Sequence, residues 1–494
     1  MLRSTVNPFT RPINTATSAA RERRRWIVRL IFAIYYLLIF EGVLRKWMFP
    51  QAGRVLFFIR DPLVLLAYAV AFRNRMVPSR TPFLTAGILL ALISVPLLFL
   101  QYEFAPVFDW PLALYGFRNY FLYIPLAFVV AGSFEAQDVS RLMRWTLWFS
   151  LPIAVLVYFQ FLSPASAPIN RGMGQTADLQ YVNAGVAGNI VRTWGTFTSS
   201  PGQAAFIVTS VGMVLNAWMR PNPRRTKRSL LFAATAAVAT CLVLCGSRGV
   251  VVWCGLVFGV ALVAALMCAG KELALRLLLM PVVLVVAGAL VVPTAFPRAV
   301  DSFGERWRGA GEAESVTYGA GGVFARAAYD LVSFTSLIPD TPLEGYQLGI
   351  GGNAADILGL RNRILLVGRD QVAGAESDWG RQILELGPTL GVVFILFRVA
   401  FVMALGIEAI RATRRSRQPL PMLLFAFVGV LLFNGQITGH GSLNGYGWLF
   451  AGILMAVSKG LQRPRIDTRG CEAVSRGGFV GQTAQPRLAR NGNI

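Results

Sequence analysis

The chain has 494 residues, of which 55% are hydrophobic and only 14% charged, with a mean hydropathy of +0.55. That balance excludes a water-soluble globular protein, in which about a quarter of the residues carry charge. The formal net charge of +23 raises the question of nucleic acid, but the sequence holds no groove-binding or stacking motif and no basic face. Its arginines fall instead in short segments between apolar runs, the distribution that orients a membrane protein.

Residues 1–26 form a basic tail ending in Arg21-Glu-Arg-Arg-Arg25. The apolar run 27–44 is too long for the core of a cleavable signal and no small-residue cleavage site follows it, so it predicts a retained first helix. Runs of spanning length recur at 55–72, 82–100, 117–131, 142–162, 203–219, 230–245, 250–269 and 273–292, then at 386–410, 420–433 and 443–457. At about 20 residues per span, they predict an all-α integral membrane protein of about twelve transmembrane helices, with one large periplasmic loop between helices 9 and 10. The predicted organisation is a cytoplasmic tail over 1–26, helices 1–9 over 27–292, the loop over 293–383, helices 10–12 over 384–461, and a cytoplasmic tail over 462–494. That last tail lacks apolar periodicity and is expected to be disordered.

With the N-terminus inside, the Lys- and Arg-rich segments 73–80, 220–228, 271–276, 411–417 and the C-terminal tail all fall on the cytoplasmic side, and 163–200, 293–382 and 434–442 on the outer side. Four of the five cysteines lie in or beside apolar helices and read as small buried hydrophobes. The chain's one histidine, His440, leaves no metal-ligand spacing, so neither a metal nor another cofactor is expected.

Four arginines stand apart from the cytoplasmic clusters, near predicted outer helix ends: Arg118, Arg192, Arg248 and Arg326. Charge there is costly unless paired or functional. Arg192 opens Arg192-Thr-Trp-Gly-Thr-Phe197, which leads into Ser199-Ser-Pro-Gly-Gln203, and Arg248 lies in Gly246-Ser-Arg-Gly249. Guanidinium groups fork onto phosphate oxygens, so arginines converging from several helices suit a diphosphate. Each could instead cap a helix, pair with a carboxylate or snorkel to headgroups.

The segment Glu376-Ser-Asp-Trp-Gly-Arg-Gln-Ile-Leu-Glu-Leu-Gly387 runs from the polar loop into an apolar helix. Helical spacing puts Asp378, Arg381 and Glu385 on one face, where they can pair with each other, whereas Glu376 precedes the first turn. It is either a carboxylate available for chemistry or an acidic residue favoured by the helix N-terminus. A Gly-rich turn, Gly345-Tyr-Gln-Leu-Gly-Ile-Gly-Gly-Asn353, is not a dinucleotide fingerprint, because no strand-turn-helix unit surrounds it. Glu41, Arg45, Arg60 and Asp61, at neighbouring helix ends, are expected to form a charge network that locks two helices.

Arg192-Thr-Trp-Gly-Thr-Phe with the following Ser-Pro-Gly resembles the Arg-x-x-Gly-Thr-Phe-x-x-Pro-Asn pattern of the O-antigen ligase and O-antigen polymerase superfamily. Gly246-Ser-Arg-Gly249 resembles its Ser-Arg-Gly helix start. The Arg326 segment up to Gly349 resembles the first half of its large periplasmic loop, and Glu376 to Gly387 the loop's closing His-(Asn/Ser)-x-(Tyr/Phe)-Leu motif, in register at Ser377, Trp379, Glu385 and Gly387. The resemblance implies a bacterial cytoplasmic-membrane protein with both termini in the cytoplasm. It implies transfer of a glycan from a polyprenyl-diphosphate carrier to a hydroxyl of a glycan or lipid-glycan acceptor, with membrane lipids around it and no nucleic acid.

It assigns diphosphate binding to Arg192, Arg248 and Arg326 and the base position to Glu376; Arg118, Asp378, Arg381 and His440 are the accessory candidates beside them. The sequence departs from the family where Glu376 occupies the histidine position. A carboxylate with a reference pKa of about 4.3 is a weak base, so Glu376 would orient the acceptor hydroxyl or His440 would substitute. A transporter or flippase of lipid-linked sugar, and a non-catalytic assembly partner that kept the fold, are the alternatives.

Overall fold

The computed structural model describes residues 15–77, 81–105, 108–172, 191–219, 228–269, 304, 308, 322–352 and 377–462. Glu376, the predicted ninth span at 273–292, most of the large loop and the C-terminal tail lie outside the described residues.

The first helix, α1 (Thr15–Val43), ends in a wide turn over Leu44–Met48. At its other end Arg24 pairs with Asp138 and Glu135 and donates to the Ser133 carbonyl. The predicted span 55–72 is broken into a short α2 (Gly53–Leu56), a turn, and α3 (Asp61–Arg73). Pro62, preset for a first helical turn and lacking an N–H, starts α3 there.

Next come α4 (Pro82–Phe104), α5 (Trp110–Phe117) and α6 (Ile124–Ser133), the last two joined by a wide turn over Arg118–Leu122. The run predicted at 117–131 is therefore the second part of one longer, interrupted span. Then follow α7 (Ala136–Leu162), α8 (Ser200–Trp218), α9 (Arg228–Leu244) and α10 (Arg248–Ala269). After them come α11 (Gly322–Val332), α12 (Phe334–Leu337), α13 (Asp378–Ser416), α14 (Leu420–Asn434) and α15 (Gly441–Gln462).

The described residues are all helix, turn and loop, and six helices are long and apolar enough to cross a membrane: Ala20–Met48, Pro82–Phe104, Trp110–Ser133, Ala136–Leu162, Arg248–Cys268 and Asp378–Ser416. Only 28% of the most apolar stretch of α4 is buried. Leu89, Leu92, Ile93 and Phe99 stand exposed along it, a surface that lipid accepts and water does not.

At the centre stands α15, packed against α6, α13 and α14, with Leu449, Phe450, Ala451 and Leu454 fully buried. Helices α3 and α14, of 13 and 15 residues, are about 20 and 22 Å long, short of the roughly 30 Å of a bilayer core. One starts at Asp61 and the other stops at Asn434, and both of those ends meet the same charged cluster.

Candidate functional site

The cluster is built on a break in α13. Gly387 has φ +77°, and a Cβ there would collide with the Leu343 carbonyl; Pro388, without an N–H, begins the second half. The halves, 378–386 and 388–416, fold back on one another. A Cβ on Gly391 would lie 2.7 Å from the Gln382 carbonyl, and Trp379 and Ile383 pack on Ile395.

Asp378 is thereby laid against Arg398, whose Nη1 donates to Oδ2 at 2.5 Å. Arg381 Nη1 (3.3 Å), Gln382 Nε2 (3.2 Å), the Thr438 N–H (3.3 Å) and the Thr438 hydroxyl (2.6 Å) also donate to this carboxylate. Arg398 additionally donates to the carbonyls of Leu432 and Gly435, capping α14. A fully buried ion pair is tolerable because its remaining lone pairs and protons are met in this way. The expected internal pairing of α13 is thus only partly what forms: Asp378 does meet Arg381, but its closest cation is Arg398.

Glu385 lies nearer the fold, and the Gly-rich turn wraps it. Gly345 (φ +71°) and Gly349 (φ +86°) bend the turn, the Tyr346 N–H donates to the Leu384 carbonyl, and the Gly351 N–H donates to Glu385 Oε1 at 2.8 Å. Gln101, at the end of α4, donates to the carbonyls of Glu344 and Glu385 and accepts from the Leu348 N–H. The Tyr120 hydroxyl faces the Glu385 carboxylate.

The crossing between α14 and α15, Gly435 to Gly441, carries the rest. A Cβ on Gly439 would collide with the Arg381 guanidinium, and one on Gly441 would lie 3.2 Å from Arg118 Nη1 and 3.3 Å from Arg60 Nη2. Arg381 thus occupies the space a Gly439 side chain would need, and Arg118 and Arg60 lie close enough to Gly441 that a Cβ there would make them give by a few tenths of an ångström. Arg118 grips Asp61 with two bonds of 2.8 Å and donates to the Asn119 side chain, and Asn119 donates to the Thr438 carbonyl. Arg60 donates to the Gly441 carbonyl and pairs with Glu41, which also holds Arg45. The expected network of Glu41, Arg45, Arg60 and Asp61 is present, and it continues into the crossing.

His440 sits within the crossing, its Nε2 3.0 Å from Gln436 Oε1. Burial and then the neighbouring Arg381 push the imidazole down to about 4, against a smaller upward pull from Asp378.

The Arg192 segment docks beside this cluster. Lys46, 1% exposed, donates to the carbonyls of Phe197 (2.6 Å) and Gly195 (3.3 Å). Gln160 brackets Gly195 (φ +56°), accepting from its N–H and donating to its carbonyl. The Thr198 hydroxyl meets that of Ser442 at 3.4 Å, tying the segment to the crossing. Thr193 bonds to the Leu244 carbonyl and Arg192 lies within electrostatic reach of Cys245, which precedes Arg248 by three residues. Burial lowers the pKa of Arg192, and its Nε makes no hydrogen bond among the described residues.

Arg326 is on α11, which leads into α12, and α12 packs on the first half of α13 through Phe334 and Trp379. The structure therefore gathers Arg118, Asp378, Arg381 and His440 into one network, and it places Arg192 near Cys245, three residues before Arg248. The contacts of α11 and α12 run to α13.

Six cations of the cluster (Arg45, Lys46, Arg60, Arg118, Arg381, Arg398) face four carboxylates (Glu41, Asp61, Asp378, Glu385), leaving positive charge in excess before Arg192 and Arg248 are added. Such a surplus, behind arginines whose donors are only partly used, can receive an anion. Among the described residues no group of His, Cys, Asp or Glu could hold a metal. Sequence reasoning passed over Arg398, Lys46 and Gln436 as site residues. Arg398 had a usable signal, as the one charge interrupting the apolar stretch 392–404.

Long apolar helices around a buried charged cluster define a helical integral membrane protein. No protein-family model matches the chain, and no curated protein is significantly similar to it.

Proposed function

We propose that this protein is a twelve-helix glycan transferase of the bacterial cytoplasmic membrane, of the O-antigen ligase or polymerase class. In this proposal its polar loops face the periplasm, and it passes a saccharide from a polyprenyl diphosphate to an acceptor hydroxyl in surface-polysaccharide assembly. The observation that carries the proposal is the positive surplus of the buried cluster, with the Arg192 segment docked beside it and bonded to the end of α9. The acceptor oxygen attacks the anomeric carbon, the bond to the diphosphate breaks, and the departing electron pair is stabilised by guanidinium groups in a site of low dielectric. Glu376 serves to orient the acceptor hydroxyl, and Arg326 is assigned to the diphosphate by the same proposal.

The test is binding of undecaprenyl diphosphate to the full chain in nanodiscs, with undecaprenol as control. Preference for the diphosphate, lost in Arg192→Ala and Arg248→Ala, supports the proposal; equal binding of both lipids overturns it. A flippase of lipid-linked sugar is favoured by one observation, the broken helix α13 carrying a buried ion pair. A flippase would move labelled lipid-linked saccharide across a vesicle membrane without forming a new glycosidic bond.

A further inference from the structure

The end of α1 away from the charged cluster carries a second group of arginines, which the transfer function does not use. Arg25 and Arg29 on α1 and Arg141 on α7 are all exposed, and none of them has a carboxylate partner among the described residues. Their neighbour Arg24 does, since it takes both Glu135 and Asp138 at the start of α7. Arg29 and Glu41 are twelve residues apart on α1, so this group stands about 18 Å along the helix from the first carboxylate of the cluster.

Contacts between the two helices put these arginines on the two banks of one groove. Arg24 meets Asp138, and further along the Tyr35 hydroxyl meets that of Thr146. The helices therefore run side by side in the same direction, and Arg29 comes level with Arg141 to within about a turn. Tyr36 lies two turns beyond Arg29 on the same face, and its ring meets those of Trp145 (6.2 Å) and Phe149 (5.6 Å). Arg141, one turn before Trp145, is within electrostatic reach of Tyr36. Beyond the arginines the groove is thus floored with rings. Trp26, 5.1 Å from the Arg29 guanidinium, is exposed, as is Trp145. Of the four exposed tryptophans among the described residues, Trp26, Trp145 and Trp148 all stand on these two helices, and indoles gather where acyl chains give way to headgroups.

An exposed guanidinium with no carboxylate, set beside lipid-facing rings, suits a phosphate whose acyl chains continue along those rings. Here such groups stand on both banks. A lipid with one phosphate engages one bank; two phosphates on one headgroup engage both, and the second contact then forms within a complex already made. We propose that the groove between α1 and α7 binds an anionic phospholipid carrying two phosphates on one headgroup. Arg29 and Arg141 take one phosphate each, Arg25 adds charge a turn below Arg29, and the acyl chains lie on Trp145 and Phe149. The site rests on the membrane class of the fold and not on glycan transfer.

The test uses the full chain in detergent, titrated with cardiolipin, which has two headgroup phosphates, or phosphatidylglycerol, which has one. Both lipids carry brominated acyl chains, and quenching of tryptophan fluorescence reports binding. At equal phosphate, cardiolipin should bind about tenfold more tightly or better. Arg29→Gln with Arg141→Gln should weaken cardiolipin binding about thirtyfold. Arg73→Gln with Arg75→Gln removes the same charge from the end of α3 and the turn after it, and should stay within about twofold of wild type. Equal affinity of the wild type for the two lipids overturns the proposal. So does an equal loss in both double variants, since binding would then follow surface charge and not a site. The wild-type preference is read without any variant, so a variant that fails to fold does not shelter the proposal. Polymer formation is not the readout, which keeps failure of this site and failure of the transfer function separate results.

Discussion

Asp378 and Arg398 are twenty residues apart in what the sequence presents as one helix, yet their side chains touch at 2.5 Å. In a straight helix they would be about 30 Å apart. The contact exists because Gly387 reverses the chain. It carries the polar start of α13 back along the apolar half to the level where α14 ends.

Breaking that pair from one side should be costly. Arg398→Met takes the closest cation from a fully buried carboxylate, leaving it to Arg381, Gln382 and Thr438, and frees the carbonyls of Leu432 and Gly435, and about 3 kcal/mol of stability should be lost. The double variant Asp378→Asn with Arg398→Met should be less destabilised than the single one. Thermal unfolding in detergent measures both, and additive losses would show that the two groups act independently.

Gly387→Ala places a Cβ at φ +77° and against the Leu343 carbonyl. The strain alone is about 1–2 kcal/mol, and the collision adds to it, so the hairpin should loosen. Faster hydrogen exchange at Gly351 and Tyr346, whose N–H groups are held by the first half of α13, would report it.

Lys46 is expected to act through the Arg192 segment. Lys46→Met removes both bonds to the Gly195 and Phe197 carbonyls and should weaken undecaprenyl diphosphate binding about tenfold. Lys46→Arg, which keeps charge and donors, should recover part of it. A Met variant that binds like wild type would disconnect Lys46 from the anion site.

Acid should act on His440 in a defined window. Its folded pKa of about 4 lies below the ordinary value of 6.5, so the folded state resists a proton that the unfolded chain takes up readily. The stability contribution is complete above about pH 6.5, declines as pH falls, at most by about 1.4 kcal/mol per unit, and levels off below about 4. The charged groups that act on the ring are Arg381 and Asp378, both on α13. Subtracting the pH profile of His440→Asn from that of wild type should isolate this slope. Identical profiles would mean that the ring titrates as it does in water.

Sidedness can be read chemically. In a cysteine-free background, single cysteines at Leu343 and Arg75, both exposed, should be modified from opposite faces of sealed vesicles. Modification of both from one face would contradict the proposed topology.

The membrane class and most helices were legible because apolar run length is a one-dimensional signal. The predicted runs at 142–162, 203–219, 230–245 and 250–269 correspond to α7 to α10 within a few residues. What was not legible depends on folding back. The pairing of Asp378 with Arg398, and the seating of Arg381 on Gly439, join positions that have no fixed spacing in sequence. The break at Asp61-Pro62 could be suspected from Pro62, but the run around it is apolar enough to hide it. Arg118 shows the limit of reading single charges: the sequence marked it as an accessory site residue with no partner named, and the structure pairs it with Asp61 through two bonds.

Because Arg381 fills the space beside Gly439 and two more guanidinium groups crowd Gly441, the crossing before α15 has little freedom to vary. The outward face of α4 has a great deal, since lipid asks only that a side chain be apolar. A saturation-mutagenesis map of the chain should therefore invert the rule for soluble proteins. Its permissive positions would be the large greasy ones on the outside, such as Leu92 and Phe99, and its intolerant ones the smallest residues of a short connecting loop.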